Sequence, residues 1–339
     1  MTTITPQHAI GSGFGARSTA EEVLEGIDLS GRLAVVTGGY SGIGLETVRA
    51  LVNAGAHVVV PARRVAHAVE QLADVGTVAT LGATGGVAPG SAPIEVDELD
   101  LADLESVRAF AERFLASGRS IDLLINDAAV MANPETRVGP GWESQFATNH
   151  LGHYALTARL WPALVAGDGA RVVALSSTGH KRSGIRWDDV MFEQGGYDKW
   201  DAYGQAKSAN SLFAVHLDAA GREHGVRAFA AHPGGILTPL QRHLTQQEMD
   251  DRGWFDENGQ PIDRFKTVEQ GASTATWAAT SPELDGLGGV YCEDCEIAEP
   301  TDVGGETEGV SGVDAHAIDR DQAARLWTLS AELTGVNPF

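Results

Sequence analysis

Short apolar runs alternate with stretches of helical period along most of this chain, and this alternation restricts the possible folds more than any other feature. The apolar runs occupy residues 33–36, 57–60, 94–96, 121–125, 171–175, 226–231 and 289–292. Helical periodicity covers residues 43–53, 64–73, 104–117, 142–165, 202–223 and 268–280. Strands that are apolar on both faces and alternate with helices indicate a parallel sheet covered on both sides, and right-handed crossovers make such a sheet doubly wound. We therefore predict an α/β Rossmann fold of about seven parallel strands.

The segments outside this alternation predict a single domain with an extension at each end. The predicted parts are an N-terminal arm with a short helix in residues 1–28, a Rossmann domain in residues 29–297 and a C-terminal extension in residues 298–339. The polar, Gly-rich start of the arm predicts mobility. Residues 82–93 predict a flexible insertion between the second and third strands. Residues 236–265 are polar but carry Trp254 and two phenylalanines, which favours a mobile substrate lid.

Charge and cysteine content exclude several classes of function. The net charge is -22 and the isoelectric point is about 4.7, so we expect neither nucleic acid nor an anionic membrane as a partner. No apolar run approaches the ~20 residues of a membrane helix, and the first residues lack a signal pattern. Cys292 and Cys295 have the spacing of a redox or zinc motif, but there is no second pair. We therefore predict no metal site and a cytoplasmic location.

A glycine-rich turn joins the first apolar run to the first helix. It reads Thr37-Gly-Gly-Tyr-Ser-Gly-Ile-Gly44. Its glycines Gly38, Gly42 and Gly44 permit a tight turn, close approach of a ligand and close packing of the helix. The N–H groups at the start of the following helix can bind a pyrophosphate. A turn of this kind between a strand and a helix predicts a dinucleotide site.

Tyr203 and Lys207 lie four residues apart in a predicted helix, which places them on one face, one turn apart. A free phenol has a pKa of about 10 and is a poor base at neutral pH. A neighbouring ammonium stabilises the phenolate and lowers that pKa. The pair is therefore predicted to pass a proton to or from a substrate oxygen while a hydride moves at carbon.

The spacing T-G-x-x-x-G-x-G and the sequence Tyr203-Gly-Gln-Ala-Lys207 resemble the fingerprints of the short-chain dehydrogenase/reductase family. The resemblance extends from Leu29 to Cys295. Within the family, the chain is similar to the retinol-dehydrogenase-like and WW-domain-oxidoreductase-like branch. The phrases that carry this similarity are Asn149-His-Leu-Gly-His-Tyr154, Leu175-Ser-Ser-Thr-Gly-His180 and Ala206-Lys-Ser-Ala-Asn210. The resemblance implies a homodimer or homotetramer that associates through the helices at 142–165 and 202–223.

The resemblance also implies a set of catalytic and cofactor-binding residues. Ser177 would polarise the substrate carbonyl beside Tyr203, and Asn149 would hold a water that relays protons to Lys207. Ser176 is the alternative to Ser177, because adjacent strand residues point to opposite faces. The residues predicted to bind the cofactor are Gly38, Tyr40, Ser41, Gly42, Ile43, Gly44, Arg63, Arg64, Asp100, Leu101, Asn126, Asp127, Ala128, Tyr203, Lys207, Pro233, Gly234, Ile236 and Thr238.

The end of the second strand favours NADP(H) over NAD(H). An acid at this point binds the ribose 2′-hydroxyl and rejects a 2′-phosphate, whereas the chain has Ala62 there. Arg63 and Arg64 follow, and a guanidinium can bind a phosphate through two hydrogen bonds. The alternative is that both arginines only cap a solvated strand end. Asp100 matches the family position beside the adenine, with a helix N-cap as its alternative role.

One motif departs from the family pattern. The usual N-N-A-G reads Asn126-Asp-Ala-Ala129 in this chain. Asp127 places a carboxylate where the resemblance implies contact with the adenosine ribose, and Ala129 adds a methyl group where the family's glycine gave clearance. Both changes bear on cofactor affinity.

These observations predict an NADP(H)-dependent oxidoreductase that transfers a hydride between nicotinamide and a lipophilic ketone, aldehyde or secondary alcohol. One alternative is reduction of a C=C bond with the same cofactor, because protochlorophyllide reductases resemble this branch and carry a double alanine after the fourth strand. Another is a catalytically idle nucleotide-binding regulator, which the altered Asn126–Ala129 motif would suit.

Overall fold

A computed structural model of the protein describes residues 4–81, 93–167, 169–301, 304 and 309–339. Nine strands form one sheet: β1 (Leu33–Thr37), β2 (His57–Ala62), β3 (Val78–Thr80), β4 (Ile94–Glu98), β5 (Leu123–Asn126), β6 (Arg171–Leu175), β7 (Arg227–His232), β8 (Val290–Glu293) and β9 (Glu296–Ile297). Their order across the sheet is β9-β8-β7-β6-β5-β1-β2-β4-β3. All pairings are parallel except β8 with β9, so the predicted doubly wound fold is confirmed.

Helices cover both faces of this sheet. They are α1 (Ala20–Val23), α2 (Gly42–Asn53), α3 (Val65–Leu72), α4 (Leu104–Ala116), α5 (Gly152–Val165), α6 (Lys199–Gly221), α7 (Gln246–Asp251), α8 (Val268–Thr280) and α9 (Arg320–Thr334). One core joins the sheet to α1, α2, α3 and α8, and the other joins it to α4, α5, α6 and α9. This arrangement explains why the seven predicted strands are apolar on both faces.

Shorter elements connect these helices and strands. Single 3-10 turns lie at Thr178–Arg182, Arg222–His224, Pro239–Gln241, Pro282–Leu284 and Ala315–Ala317. Two pairs of short strands are Arg137–Val138 with Trp142–Glu143, and Gly235–Ile236 with Phe265–Lys266. The helix predicted at 142–165 is not continuous: a short α-helical turn, Ser144–Phe146, and a π-helical turn, Ala147–Leu151, precede α5.

The two strands that exceed the predicted seven lie at the sheet edges and are too short to show periodicity. β3 has three residues and β9 has two. A two-residue turn joins β8 to β9, with positive φ angles of 51° at Asp294 and 58° at Cys295, as hairpin turns of this length require. The Cys-x-x-Cys spacing is therefore part of a β-hairpin, and Cys292 and Cys295 are both buried free thiols.

The N-terminal arm differs from the predicted mobile segment, because it is hydrogen-bonded to the edge of the sheet. Gln7 Nε2 donates to the carbonyl oxygens of Tyr291 (2.7 Å) and Ala298 (2.6 Å). The N–H groups of residues 10–12 donate to the Glu296 carboxylate. Arg17 then reaches the carbonyl of Phe265, at 2.9 Å. The arm therefore covers β9, the edge strand of the sheet.

Two further predictions concern the insertion after β3 and membrane spans. Residues 82–92 of the predicted flexible insertion lie outside the described residues. Within the part of the chain that is described, no helix is both long and apolar enough to cross a bilayer.

The C-terminal helix α9 covers the face of α5 and α6 through which the resemblance implies oligomerisation. The Trp327 ring stacks on Phe213 of α6, with centroids 5.8 Å apart and planes 14° apart. It also meets Tyr154 of α5 edge-on at 4.8 Å. Trp327 Nε1 donates to Asn337 Oδ1 at 3.2 Å. Within one chain, α9 therefore occupies a surface that a partner's helices would otherwise contact, and the homo-oligomer remains a prediction.

We predict that Trp327→Ala lowers the free energy of unfolding by about 3–5 kcal/mol, because it removes a large buried ring. Urea titration of both proteins measures the difference. Thr328→Ala is the control. Thr328 is the next residue of the same helix and its side chain is exposed, so we expect the free energy of unfolding to change by no more than about 0.5 kcal/mol. A loss below about 1 kcal/mol for Trp327→Ala would contradict the packing described for α9.

Candidate active site

A cleft of about 1270 Å³ opens at the carboxyl ends of the parallel strands. Its walls are the segments that follow β1, β2, β4, β5, β6 and β7. The chain reverses its direction across the sheet between β1 and β5, because β2 lies on one side of β1 and β5 on the other. Ligands of open α/β sheets bind at such a switch point.

The glycine-rich turn after β1 is shaped for close approach by a ligand. Gly38 has φ +73°, and a Cβ atom there would lie 3.0 Å from the Ala128 Cα. Gly42 has φ +54° and opens α2, and its Cβ would lie 3.3 Å from the Thr238 side chain. Ser41 at the N-cap makes no side-chain hydrogen bond to the helix, so the first N–H groups of α2 are left for a ligand. This cradle fits a dinucleotide pyrophosphate.

The hydroxyl of Thr37 ties this turn to the segment after β5. Thr37 Oγ1 accepts from the N–H groups of Asp127 (3.0 Å) and Ala128 (3.1 Å). On its other side lies His153 Nε2, at 2.8 Å, while His153 Nδ1 donates to the carbonyl of Asn149 at 2.9 Å. Burial lowers the pKa of His153 to about 4, so this imidazole stays neutral. Thr37 and His153 thus position the cleft wall, a role that the motif spacing alone did not indicate.

Tyr203, Lys207 and Ser177 come together at the inner end of the cleft. The Lys207 Nζ lies 5.5 Å from the centre of the Tyr203 ring and donates to the carbonyl of Leu175 at 2.8 Å. Ser177 is hydrogen-bonded to the Tyr203 hydroxyl, and its own Oγ accepts from the N–H of Gly179 at 3.0 Å. A phenol and an aliphatic hydroxyl therefore meet in the cleft.

The two serines after β6 make hydrogen bonds in opposite directions, which bears on the choice between them that the sequence left open. Ser176 Oγ donates to the carbonyl of Lys207 at 2.9 Å and accepts from Ser211 at 2.8 Å, so it fastens β6 to α6. Ser177 lines the cleft beside Tyr203. The geometry therefore favours Ser177 as the hydroxyl that meets a substrate.

The ionisation of this group differs from the expectation of a lowered phenol pKa. Burial raises the pKa of Tyr203 to about 12; its hydrogen bond to Ser177 opposes this rise, and the charge of Asp127 adds to it. Burial lowers the pKa of Lys207 to about 8, with Asp127 opposing. The Lys207 ammonium points to a backbone carbonyl instead of the phenol oxygen, so it does not offset the burial of Tyr203.

Asp127 is a carboxylate in the floor of the cleft. One of its oxygens lies 2.6 Å from the position that a Cβ on Gly44 would occupy, so it rests directly on the glycine-rich turn. Burial raises the pKa of Asp127 to about 7, and Lys207 opposes this rise. The departure from the family motif therefore adds a group that titrates near neutral pH inside the predicted cofactor site.

Three predicted site residues lie behind the cleft wall. Asn149 holds the main chain of Val130, accepting from its N–H and donating to its carbonyl, each at 2.9 Å. Asn126 is buried and donates to Thr157 Oγ1 at 3.2 Å. Gly44 lies under Asp127. These residues support the wall, while the other residues predicted to bind the cofactor or substrate line the cleft.

The far end of the cleft is cationic. Ala62 ends β2, and Arg63 and Arg64 follow it, both exposed and without an ion pair among the described residues. The predicted alternative role of Asp100 is not observed, because Asp103 caps α4 by accepting from the Glu105 N–H. Asp100 instead accepts from the N–H of Ala102 at 2.9 Å and lines the cleft.

An apolar surface lies beside Tyr203. It consists of Met131, Ala132, Trp200, Leu240 and Leu244. Arg252 stacks over the Trp200 ring at 3.7 Å. Trp254 of the predicted lid also lines the cleft. Trp200 precedes Tyr203 by three residues in α6 and so shares its face, but the helix predicted at 202–223 begins after it.

The described residues contain no cluster of three or more metal-ligating side chains. The cleft combines hydroxyl, ammonium, guanidinium and carboxylate side chains with main-chain N–H groups around a glycine-rich cradle.

Comparisons with known proteins identify relatives by sequence and by fold. The sequence model of the family described as "short chain dehydrogenase" matches residues 32–249. A "Probable oxidoreductase" of Streptomyces antibioticus is 41% identical over 307 residues, which cover 89% of this chain and 97% of the relative. "Retinol dehydrogenase 12" of Mus musculus is 34% identical over 310 residues, which cover 91% of this chain and 88% of the relative. The crystal structure of an uncharacterized protein from Mycobacterium Paratuberculosis is 31% identical, with a TM-score of 0.66, covering 91% of this chain and 96% of that chain.

Proposed function

Because this chain belongs to the short-chain dehydrogenase/reductase family, in its retinol-dehydrogenase-like branch, we propose that it is an NADP(H)-dependent carbonyl reductase with Tyr203 as the proton donor. Members of this family are oxidoreductases that generally use NAD(P). The observation that carries the proposal is the meeting of Tyr203, Ser177 and Lys207 at the inner end of a cleft whose outer end holds Arg63 and Arg64.

In the free protein, the protonation state of Tyr203 suits it to donate a proton to a carbonyl oxygen. A phenol whose pKa is about 12 carries its proton at neutral pH, so in this state it donates to the substrate oxygen and does not abstract from it. When bound, the nicotinamide supplies the hydride that the carbonyl carbon receives. The product is an alcohol, and the phenolate left on Tyr203 regains its proton from solvent.

Ser177 and Lys207 assist this proton transfer. The Ser177 hydroxyl, beside Tyr203, can donate a hydrogen bond to the oxygen on which negative charge develops. Lys207, whose ammonium lies 5.5 Å from the centre of the Tyr203 ring, donates to the carbonyl of Leu175 and so holds the end of β6 beside Tyr203. Asn149 acts through Val130, whose main chain it fixes in the cleft wall.

The donor set of the cleft fits an NADP(H) cofactor. The open N–H groups at the start of α2 suit the pyrophosphate, and Pro233, Gly234, Ile236 and Thr238 line the inner end, where family resemblance implies contact with the carboxamide. Ala62 provides no acid that would reject a 2′-phosphate, and the cations Arg63 and Arg64 follow it in the cleft. The cleft as a whole has more cationic than acidic side chains, although the protein is strongly acidic.

The apolar surface around Trp200 supports a lipophilic ketone or aldehyde as the substrate. The resemblance to retinol dehydrogenase 12 points to the same class. The segment 236–265 contributes Leu240 and Leu244 to this surface and Trp254 to the cleft wall, which supports its role as a substrate lid.

We predict that Tyr203→Phe lowers kcat for NADPH-dependent reduction of lipophilic ketones by roughly 10²–10⁴-fold, because it removes the proton donor. The dissociation constant of NADPH should change by less than about twofold. Tyr197→Phe is the matched control: Tyr197 lies outside the cleft and donates to the Asn133 carbonyl, so turnover should be retained. If the wild type binds NADPH but reduces no carbonyl compound, the proposal is contradicted, and C=C reduction or a regulatory role is favoured.

We predict that NADPH binds more weakly as pH rises from 6 to 9. Asp127, with a pKa of about 7, gains negative charge over this range, and Lys207, with a pKa of about 8, loses positive charge. Both changes disfavour an anionic ligand, so its dissociation constant should rise on the order of tenfold. In Asp127→Asn only the Lys207 step remains, so binding at pH 8 should be tighter than in the wild type. The control Asp188→Asn removes an exposed charge outside the cleft, and its NADPH dissociation constants should match those of the wild type. If Asp127→Asn also matched the wild type, this account would be wrong.

A further inference from the structure

Taking the proposed NADP(H) dependence as its premise, we propose that Arg242 and Arg63 form a phosphate clamp that binds the cofactor 2′-phosphate from two sides. Arg63 follows β2 in the body of the domain, and Arg242 lies in the segment 236–265. Both line the same cleft. The clamp makes Arg242 a residue that determines cofactor specificity, and it makes closure of the lid depend on the phosphate.

The first turn of the segment holds Arg242 in a defined position. Thr238 caps the turn Pro239–Gln241, and Gln241 fixes it by accepting from the Thr238 N–H (2.8 Å) and donating to the Ile236 carbonyl (2.7 Å). Arg242 is the next residue, and its Nη1 donates to the Pro239 carbonyl at 3.2 Å. The backbone that carries Arg242 is therefore anchored to the short strand Gly235–Ile236 that follows β7.

This turn lies directly against the glycine-rich cradle. A Cβ on Gly42 would come within 3.3 Å of the Thr238 side chain, so the start of the segment touches the start of α2. Tyr40, in the same cradle, packs its ring edge-on against His67 of α3, with centroids 6.1 Å apart. Arg242, four residues after Thr238, thus lies at the end of the cleft lined by the cradle and the residues after β2, where the adenosine half of a dinucleotide would bind.

The charges around Arg242 favour binding of an anion. Burial and the nearby charge of Arg63 both lower the pKa of Arg242, and the only opposing influence is Tyr40. Neither Arg63 nor Arg242 has an ion pair with a carboxylate in the described part of the chain. Two guanidinium groups that repel each other across a cleft gain most from a dianionic phosphate, which each can bind through two hydrogen bonds.

The clamp connects cofactor choice to the substrate side of the cleft. Arg242 belongs to the segment that carries Leu240, Leu244 and Trp254 beside Tyr203. A phosphate held by Arg63 and Arg242 joins this segment to the end of β2. A cofactor without the 2′-phosphate leaves the repulsion between the two arginines in place, and it does not make this connection.

Calorimetric titration with adenosine 2′,5′-bisphosphate and with adenosine 5′-monophosphate tests the clamp without turnover, because the two probes differ only in the 2′-phosphate. The wild type should prefer the bisphosphate. Arg242→Gln and Arg63→Gln should each weaken bisphosphate binding by about tenfold or more while changing monophosphate binding by less than about twofold. Arg264→Gln removes another cleft arginine of the same segment and should leave both affinities unchanged.

A second measurement follows the lid itself. Chymotryptic cleavage near Trp254 should be slowed by the bisphosphate in the wild type and not in Arg242→Gln.

The proposal is overturned if Arg242→Gln still prefers the bisphosphate as the wild type does while Arg63→Gln loses this preference. The phosphate is then bound from the end of β2 alone, and the NADP(H) dependence survives. A wild type that binds both probes equally overturns the cofactor preference and the clamp together. Thermal unfolding of each variant confirms that binding is compared between folded proteins.

Discussion

The carbonyl oxygen of Leu175, the last residue of β6, accepts two hydrogen bonds from α6, one from Lys207 (2.8 Å) and one from Asn210 (2.9 Å). Ser176 returns a bond to the carbonyl of Lys207, so strand and helix are fastened in both directions. Because this junction is buried, its polar groups have no competing water, and its geometry is well determined. It places Ser177 and Tyr203 opposite each other, and the chemistry proposed for the cleft depends on that juxtaposition.

Burial in this junction also sets the protonation states that the mechanism uses. The same desolvation that raises the pKa of Tyr203 lowers that of Lys207 and raises that of Asp127. In the free protein the three groups favour a protonated phenol, which suits a proton donor. The cleft is cationic although the net charge of the protein is -22. The cations around the site attract an anionic cofactor that the rest of the surface repels.

The parts of this structure that the sequence predicts are those that depend on periodicity or on local motifs. The seven longer strands and the helices between them follow from alternating patterns, because a buried parallel strand needs apolar residues on both faces. β3 and β9 are too short to produce such a pattern, and the mobile arm was a wrong expectation because its partners, Tyr291 and Glu296, lie at the other end of the chain.

Within the site, the residue types were predictable, but their orientation and ionisation were not. The choice between Ser176 and Ser177 depends on which face of β6 meets α6, and the pKa of Tyr203 depends on burial by distant segments. Arg242 lies in a segment without periodicity, and its relation to Arg63 arises only when the chain folds over the cradle.

Transfer of deuterium from NADPH labelled at nicotinamide C4 to an α,β-unsaturated ketone tests the central claim most directly, since the substrate offers both a C=O and a C=C bond. Mass spectrometry and NMR of the product locate the label. We predict an allylic alcohol with deuterium at the former carbonyl carbon. A saturated ketone with deuterium at the β-carbon would contradict the account and show that the cleft performs C=C reduction.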